Sequence, residues 1–537
     1  MERAAVENLD FFRRIIYVID DLGEAVIRNI LSRLPAKSFA SAACVSRSWN
    51  TICNSILSSP KLASAVSFNP SLEKALNEVV EKVLMEPIRP HFVLASIGPC
   101  FILQAALQRI EGIFGSKIPI IINVAEGVIG RDVRTDKFVE VIFKSYVQWA
   151  LLAAKKKYSW STDTQPTATC GMILTVGFLP GLKVHLVPLF RSQGPQRLLV
   201  DKFVMDIREV ASAFSHSSSP AGIMLFADRK TNILPVLQKT EYAFSKDTFI
   251  VGDGGSELLF RISETTTMPP NSTFAAVALL FTRDINKPLG IREIQFHVML
   301  STGVTAVGPV YKVLSVEEHG TSTCFTATRE TIPEPFEGEA ILHDILDEVG
   351  EDIMFAAKAT YIGVTKSRSC SVGTERAKLM QFHEFHKFEP VGDEALPPVR
   401  SVGINSGDPF RFYISDKDPA LSTTYNIYYM LMDLKEDFNN RIKKHEKAEV
   451  FGGIVFCCRG RGGNYLGSPD YACFPFVDNF PGVTFAGTHT SAEIARGCFG
   501  YLYGESDQEN NADIHCNLHP YGALYLVMSY HCPIPER

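Results

Sequence analysis

Histidine and cysteine side chains that could bind a metal ion are concentrated near the C-terminus. They are His515, Cys516, His519, His531 and Cys532. A structural zinc site needs four nitrogen and sulfur donors that converge as a tetrahedron, and this spacing matches no zinc-finger pattern. Residues 521–530 between them are mostly apolar and predict a buried strand. We therefore expect core packing or surface histidines here, and the sequence predicts neither a metal ion nor another cofactor.

Two glycine-rich segments could contact an anion. Gly252-Asp253-Gly254-Gly255-Ser256 follows an apolar strand, but it lacks the lysine and the second spaced glycine of a P-loop, so we predict a tight turn between two strands. Arg459-Gly460-Arg461-Gly462-Gly463 has the composition of an RGG tract. Such tracts bind nucleic acid as disordered repeats, whereas this single copy follows a buried strand. We predict a loop in which Arg459 and Arg461 face a ligand or an acidic target, or simply lie at the surface.

Composition and motifs exclude several classes of function. The 537 residues carry 53 basic and 59 acidic side chains, too balanced for the positive field of a general nucleic-acid binder. The twelve cysteines form no CxxC pair, which is typical of reduced thiols. The N-terminus lacks a secretory pattern, the longest apolar stretch is broken at Gly98-Pro99, and no GxSxG or comparable nucleophile motif occurs. We predict a non-catalytic protein of the cytoplasm or nucleus that binds neither nucleic acid nor membrane.

The first sixty residues predict three short amphipathic helices. Apolar residues recur at helical spacing from Leu22 until Pro35 stops the pattern. Ser38 is a favourable N-cap for a second helix, and Ser46 can cap a third helix that carries Trp49. Three helices of this size share too little apolar surface to be stable alone, so their exposed apolar residues are expected to pack on a partner.

This segment resembles the F-box. The similarity lies in Leu22-Gly23-Glu24, Ile30-Leu31-Ser32-Arg33-Leu34-Pro35 and Cys44-Val45-Ser46-Arg47-Ser48-Trp49, with proline usual in the family where this chain has Gly23. The resemblance implies docking on a Skp-type adaptor that hangs from a cullin scaffold, while other subunits supply the ubiquitin-transfer chemistry. By position, the residues implied to face the adaptor are Leu22, Ile30, Leu31, Leu34, Pro35, Val45 and Trp49.

The remainder of the chain predicts a large mixed α/β body. Residues 70–87 have apolar side chains on one helical face, which predicts a helical spacer. From Phe92 onward, short apolar runs bounded by Gly, Pro or small polar residues alternate with helical patterns such as residues 103–114. No heptad, solenoid or leucine-rich repeat is recognisable. The predicted fold class is α+β, with a small three-helix segment followed by a sheet-rich body.

Several segments of this body resemble the FIST domains, a two-part α/β sensory module that also occurs fused to F-boxes. They are residues 119–130, 248–255, 303–311, 340–350, 453–460 and 483–487, the last leading to Glu493-Ile494. FIST relatives tend to have an aromatic- and glycine-rich stretch before Glu-Ile, where this chain has Thr488-His489-Thr490-Ser491-Ala492. The division implied by both resemblances is an F-box at 16–60, a helical spacer at 61–89, a FIST N-like domain at 90–335 and a FIST C-like domain at 336–537.

Two functions follow from these resemblances. The first is the substrate-recognition subunit of an SCF-type ubiquitin ligase, whose F-box binds the adaptor and whose body binds a protein target for ubiquitination. The second is an intracellular sensor of a small, amino-acid-like ligand, which is the family-level expectation for a FIST module. The candidate ligand- or target-binding residues are Cys458, Arg459, Arg461 and Glu493.

Overall fold

The fold combines a three-helix segment with a sheet-rich body, which confirms the predicted α+β class. The computed structural model describes residues 23–143, 167–168, 170–192, 199–261, 272–288, 291–319, 322–329, 332–336, 360–388, 404–443, 448–462, 471–496 and 517–531. Leu22, His515, Cys516, Cys532 and the FIST-like segment 340–350 lie outside these residues.

The N-terminal helices form a small bundle with its own core. They are α1 (Glu24–Ser32), α2 (Ala36–Ala43) and α3 (Arg47–Ile56). Their shared core consists of Ile27, Leu31, Phe39, Ala42, Ile52 and Cys53. The backbone N–H of Ala36 donates to the carbonyl of Leu84 (2.9 Å), so the bundle also contacts the body.

The body contains three units that share one chain order. In each unit an edge strand is followed by a helix, a strand, a second helix and a strand parallel to the previous one. An excursion then pairs with another unit's sheet, and a last strand returns to the unit's own sheet. The first unit contains β1 (Lys61–Ser67), α4 (Leu72–Val83), β2 (Phe92–Ile97), α5 (Leu103–Phe114), β3 (Ile120–Val124), the excursion β4 (Gly127–Arg131), β5 (Phe138–Phe143) and β6 (Thr167–Ala168), and β7 (Met172–Phe178).

The other two units repeat this order, and the third also carries an insertion. The second contains β8 (Leu182–Ser192), α6 (Val200–Phe214), β9 (Gly222–Asp228), α7 (Leu234–Ala243), β10 (Phe249–Ser256), the excursion β11 (Leu258–Phe260), and β12 (Ser272–Arg283). The third contains β13 (Glu293–Ser301), the inserted strands β14 (Val304–His319), β15 (Ser322–Arg329), β16 (Ile332–Phe336), β17 (Thr360–Cys370), β18 (Lys378–Phe388) and β19 (Pro409–Ser415), then α8 (Lys417–Lys443), β20 (Ala448–Cys458), α9 (Phe474–Asn479), β21 (Phe485–Thr490), the excursion β22 (Glu493–Arg496) and β23 (Asn517–His519), and β24 (Ala523–His531).

The excursions exchange strands among the units in a cycle. Strand β4 of the first unit pairs with β21 of the third, β22 of the third pairs with β10 of the second, and β11 of the second pairs with β3 of the first. Every unit's sheet is therefore completed by another unit. Such pairing requires contacts between residues far apart in the sequence, so the three units depend on one another for their backbone hydrogen bonds.

The apolar core is organised around these three sheets. Their inner faces share one cluster, to which Phe92, Met224, Phe281, Phe456 and Leu526 belong. The outer face of each sheet packs on its own pair of helices in a separate cluster. A sheet buried on both faces needs near-continuous apolar strands, which explains runs such as Phe92–Ile97 and Ala523–His531. The second run confirms the buried strand predicted for residues 521–530.

The six inserted strands form a fourth sheet in the order β16-β15-β14-β19-β17-β18. It packs on the helices of the second unit through three described polar contacts. The guanidinium of Arg208 pairs with Glu375 (2.6 Å), the hydroxyl of Tyr242 donates to the carbonyl of Arg376 (3.0 Å), and the amide of Gln238 donates to Glu384 (2.6 Å). The insertion is therefore anchored to a unit other than the one that carries it.

Two predicted boundaries do not coincide with divisions of this fold. The segment 61–89 is no free helical spacer, because β1 pairs with β7 and α4 packs on the same sheet. The boundary between 335 and 336 falls within the inserted sheet, whose strands β14 and β19 pair with each other across it. The strand partners that cross these boundaries lie about a hundred residues apart in the sequence and so leave no local signal.

Two features are absent from the described residues. None of their helices is long and apolar enough to cross a membrane. Within the same ranges, no three His, Cys, Asp or Glu side chains are arranged to hold a metal ion.

Candidate functional site

The N-terminal helices begin and end at residues suited to those positions. The Ser46 hydroxyl accepts a hydrogen bond from the backbone N–H of Trp49 (3.1 Å), which confirms the predicted cap of α3. Helix α2 starts at Ala36, two residues before the predicted cap Ser38. The preceding residue, Pro35, is extended and has no backbone N–H that would need a hydrogen-bond acceptor, which suits the start of a helix. Gly23 has a φ of 78°, which a proline there could not adopt.

The helical bundle leaves apolar side chains exposed on its surface. Val26 and Ile30, one turn apart on α1, are each 46% exposed, and Val45 is 42% exposed. Leu34 and Trp49 are half-buried and Pro35 is exposed. Leu31 is only 1% exposed and lies in the bundle's own core, which differs from its predicted contact with an adaptor. Ile30, Pro35 and Val45 therefore remain exposed among the predicted contacts, and we call the large apolar side chains Val26, Ile30 and Val45 the exposed apolar group.

A second candidate site lies where the three units meet. Near the end of each parallel strand stands a buried polar side chain, namely Asn123 of β3, Asp253 of β10 and His489 of β21. Each pairs across to the excursion of another unit. The register partner of Asn123 is Leu258, that of Asp253 is Glu493, and that of His489 is Gly127. We call this region the polar junction, and ligands of α/β sheets commonly bind at such carboxyl ends of strands.

A chain of hydrogen bonds connects the first two units at the polar junction. The Ser96 hydroxyl donates to Asn123 Oδ1 (2.6 Å), and Asn123 Nδ2 donates to Asp253 Oδ2 (3.2 Å). Asp253 also accepts bonds from the backbone N–H of Gly255 (2.9 Å) and from Ser256. Burial raises the pKa of Asp253 to about 6, although these bonds oppose the shift. This carboxyl group therefore stays protonated to a higher pH than an ordinary aspartate does.

The segment from Gly252 to Ser256 forms a bulged strand end and not the predicted tight turn. The register with β9 shifts between Asp253 and Ser256, and the chain then continues into β11 of another sheet. A Cβ at Gly252 would lie 1.8 Å from the carbonyl oxygen of Leu225, so only glycine permits this close approach of the backbones. The glycines therefore serve strand packing around Asp253.

Glu493 contributes a second buried carboxyl group to the polar junction. It is fully buried, and the Thr490 hydroxyl donates to its Oε1 (2.6 Å), while no described atom bonds its Oε2. Burial raises its pKa well above the ordinary value. The neighbouring thiols of Cys457 and Cys458 are also buried, and burial raises both pKa values. Such thiols are poor nucleophiles, so Cys458 is equipped for packing and not for chemistry.

The two arginines of the glycine-rich loop have different environments. Arg459 is 32% exposed and lies 3.9 Å from Glu126 beside the polar junction, as expected of a residue that can face a ligand or a target. Arg461 is 3% exposed and its guanidinium donates to acceptors of its own chain, so it does not face outward as predicted. Of the four candidates, Arg459 alone has a substantially exposed side chain.

Sequence reasoning did not bring Asn123, Asp253 and His489 together, since it noted Asp253 only within a glycine-rich segment and His489 only within the segment before Glu493. They share a repeated sequence pattern. In each unit the polar residue near the end of a parallel strand lies four or five positions before the excursion residue of the same unit that pairs with another unit. These residue pairs are Asn123 and Gly127, Asp253 and Leu258, and His489 and Glu493. His489 Nε2 lies 3.3 Å from Glu140 Oε1, and both side chains are buried. An aligned comparison of the three segments would have found the recurrence, whereas each one alone is an ordinary strand end.

The raised pKa of Asp253 predicts a pH dependence of stability. The folded state disfavours the ionised form of Asp253. The contribution of this carboxyl group to the free energy of unfolding is therefore greatest below its ordinary pKa and is lost as the pH rises toward 6. Between pH 4 and 7, the wild type should lose up to about 3 kcal/mol in free energy of unfolding relative to Asp253→Asn. Urea unfolding at several pH values measures this difference, and Asp247→Asn, at an exposed position, is the control. A difference that stays constant with pH would contradict the prediction.

Comparison with known proteins agrees with the features of the N-terminal helices. Residues 19–59 match the family model of the F-box domain, which confirms the predicted F-box. Over 520 residues the chain is 35% identical to an F-box/LRR-repeat protein of Arabidopsis thaliana, and the match covers 95% of this chain and 93% of that protein. The described strands form four separate sheets and not a leucine-rich-repeat solenoid. The chain therefore belongs to the F-box protein family that this Arabidopsis relative represents.

Proposed function

We propose that this chain is the substrate-recognition subunit of an SCF-type E3 ubiquitin ligase. F-box domains bind a Skp-type adaptor within such complexes, and the F-box match and the whole-length relative support this role. The observation that carries the proposal is the exposed apolar group. Ile30 and Val45 lie at positions that the F-box motif directs to the adaptor, and both remain exposed after the bundle has formed its core. Apolar residues exposed in this way are typical of a docking surface.

The body is the proposed target-binding part of this non-catalytic subunit. We also propose that this body is FIST-like. The support is the resemblance of segments 248–255 and 453–460, which form most of strand β10 and the end of strand β20 beside the polar junction. The adaptor would connect the chain to a cullin scaffold in the cytoplasm or nucleus. In this arrangement the F-box is the docking handle and the three-unit body presents the protein target.

Substitution of Ile30 by aspartate tests adaptor binding. A charge at a buried contact must be desolvated, so we expect the affinity for a Skp-type adaptor to fall by about 30-fold, equivalent to about 2 kcal/mol. Isothermal titration calorimetry with a purified adaptor measures this change, and Val45→Asp should act in the same direction. Leu31 is unsuitable for this test because its substitution would disrupt the bundle's own core.

The control for this experiment is Ile102→Asp. Ile102 is 71% exposed on the body, so the same chemical change is made outside the F-box helices. Circular dichroism and thermal unfolding of each variant verify that the fold is kept. Unchanged adaptor affinity of folded Ile30→Asp and Val45→Asp would remove the basis of the proposed docking surface.

The polar junction supports a second candidate function, the sensing of a small, amino-acid-like ligand. The specific observation is the buried carboxyl of Glu493, whose Oε2 is without a partner among the described residues. A ligand that binds only the native state raises the midpoint of thermal unfolding. Amino acids screened at millimolar concentration should therefore raise the midpoint in the wild type and not in Glu493→Gln. No shift with any amino acid would count against this candidate.

A further inference from the structure

Two cysteines stand side by side at one end of the first unit's sheet. Strands β2 and β7 are antiparallel neighbours, with Ile97 opposite Met172, so the chain leaving β2 runs beside the chain entering β7. Just beyond this pair, the backbone N–H of Gly98 donates to the carbonyl of Gly171 (2.8 Å). Cys100 follows Gly98 by two residues, and Cys170 immediately precedes Gly171. The sheet register therefore brings together two residues that are 70 positions apart in the sequence.

Glycine on both segments permits this close approach. A Cβ on Gly98 would lie 3.3 Å from the Gly171 carbonyl oxygen and from the Phe143 ring, and a Cβ on Gly171 would lie 2.9 Å from the same ring. The Cys100 sulfur accepts a hydrogen bond from the backbone of Gly171, and its thiol is also hydrogen-bonded to the Cys170 side chain. The two thiol side chains therefore lie within hydrogen-bonding reach of each other.

This pair differs from the other described cysteines in access and proximity. Cys100 and Cys170 are both free and partly exposed. Cys53, Cys370, Cys457, Cys458 and Cys473 are buried, and Cys44 is exposed. A small oxidant can reach the pair directly, whereas the buried thiols require local unfolding. The contact between the two thiols then makes the second step of disulfide formation intramolecular and fast.

We propose that Cys100 and Cys170 form a reversible disulfide bond when the protein meets a low-molecular-weight disulfide such as oxidised glutathione. Cys170 reacts first and gives its proton to water, whereas Cys100 keeps its own proton, because burial and the hydrogen bond to Cys170 raise the pKa of Cys100 to about 12. The Cys170 thiolate attacks one sulfur of the oxidant and releases one thiolate. Cys100, after losing its proton to water, attacks the Cys170 sulfur and releases the second. Two protein thiols are thus oxidised to one disulfide, and the oxidant is reduced to two thiols.

The bond would link the segment after β2 to the segment before β7, and so would close a loop that contains the excursion of the first unit. The segment between Cys100 and Cys170 contains α5, β3 and the excursion strands β4 and β5, which pair with the third sheet. A cross-link that closes so long a loop stabilises mainly by restricting the unfolded chain. The oxidised protein should therefore unfold at a midpoint on the order of a few degrees higher than the reduced protein.

The test uses the reduced full-length chain and oxidised glutathione. Peptide mass mapping should show a cross-link between Cys100 and Cys170 with the loss of two hydrogen atoms, and reduction by dithiothreitol should reverse it. In Cys100→Ser, a glutathione adduct should accumulate on Cys170, because no neighbouring thiol displaces it. In Cys170→Ser, Cys100 should stay unmodified. The exposed Cys44 should carry glutathione in every oxidised sample before dithiothreitol is added, and so verifies that the oxidant is active.

Several results would overturn the proposal. Free thiols at both positions while Cys44 is modified would show that the pair is not reactive. A stable glutathione adduct on either cysteine of the wild type would show that the second step does not occur. An adduct on Cys100 in Cys170→Ser, with none on Cys170 in Cys100→Ser, would overturn the order of attack. Equal unfolding midpoints of the reduced serine variants and the reduced wild type verify that each result concerns chemistry and not folding.

Discussion

Substitution of Glu384 by glutamine is expected to lower the free energy of unfolding by about 3–5 kcal/mol, because it leaves a buried cation without its counter-ion. Lys366 of β17 and Glu384 of β18 are diagonal neighbours on paired strands, with Nζ and Oε2 2.6 Å apart, and each side chain is 2% exposed. Gln238 of α7 donates to the same carboxylate (2.6 Å). The pair therefore stabilises the inserted sheet and its attachment to the second unit.

The pH dependence of this pair has a defined sign. Burial alone would raise the pKa of Glu384, but its contacts with His386 and Lys366 and the charge of Arg368 outweigh burial and lower the pKa to about 2. A carboxyl group with a lowered folded pKa stabilises the fold above its unfolded pKa. That contribution should be lost as the pH falls from about 4.5 toward 2. Glu384→Gln should lack this part of the acid sensitivity.

Hydrogen exchange of the β17–β18 hairpin and urea unfolding measure the effect of Glu384→Gln. The control is the double variant Lys366→Met/Glu384→Gln, which removes both charges and should recover a large part of the lost stability. A single variant within about 1 kcal/mol of the wild type would contradict the prediction. So would a double variant less stable than the single one, since the unpaired charge would then not be the cause.

The N-terminal helices could be predicted from sequence because their signals are local. Apolar spacing located α1 to α3, and Ser46 caps α3 as expected. The motif alone assigns the same role to Ile30 and Leu31. Their burial differs, since Leu31 lies in the bundle core while Ile30 is exposed. The motif records which positions matter to the family, whereas the distinction between core and surface depends on how the three helices pack.

The three-unit arrangement of the body could not be predicted from single segments. Each apolar run was recognisable as a strand, but β1 was assigned to a spacer because its partner β7 lies more than a hundred residues away. The exchange of β4, β11 and β22 among the units joins residues from separate parts of the chain. The polar junction exists only through this exchange, so Asp253 and Glu493 become neighbours although about half the chain separates them.

Arg461→Ala is expected to lower the free energy of unfolding by about 3–4 kcal/mol, because its guanidinium joins three elements of the fold. The described hydrogen bonds run to the carbonyl of Ser301 (2.8 Å) and its hydroxyl (2.7 Å), the carbonyl of Tyr521 (3.2 Å), the carbonyl of Ala420 (3.0 Å) and the hydroxyl of Thr424 (2.8 Å). They connect the end of β13, the first turns of α8 and the turn before β24. Alanine would remove this charged donor from all of these acceptors in a buried region, although the hydroxyls of Ser301 and Thr424 keep their hydrogen bond to each other (3.0 Å).

Arg459 provides the matched control, since it lies two residues away on the same short turn. Its side chain is 32% exposed and its described ion pair with Glu126 is 3.9 Å long, so Arg459→Ala should change stability by less than about 1 kcal/mol. Arg461→Lys should recover less than half of the loss, because one ammonium group cannot reproduce the planar fork that reaches β13 and α8 together. Equal losses of unfolding free energy for Arg459→Ala and Arg461→Ala in urea unfolding would contradict the prediction. They would show that the buried guanidinium of Arg461 stabilises the fold no more than the exposed one of Arg459.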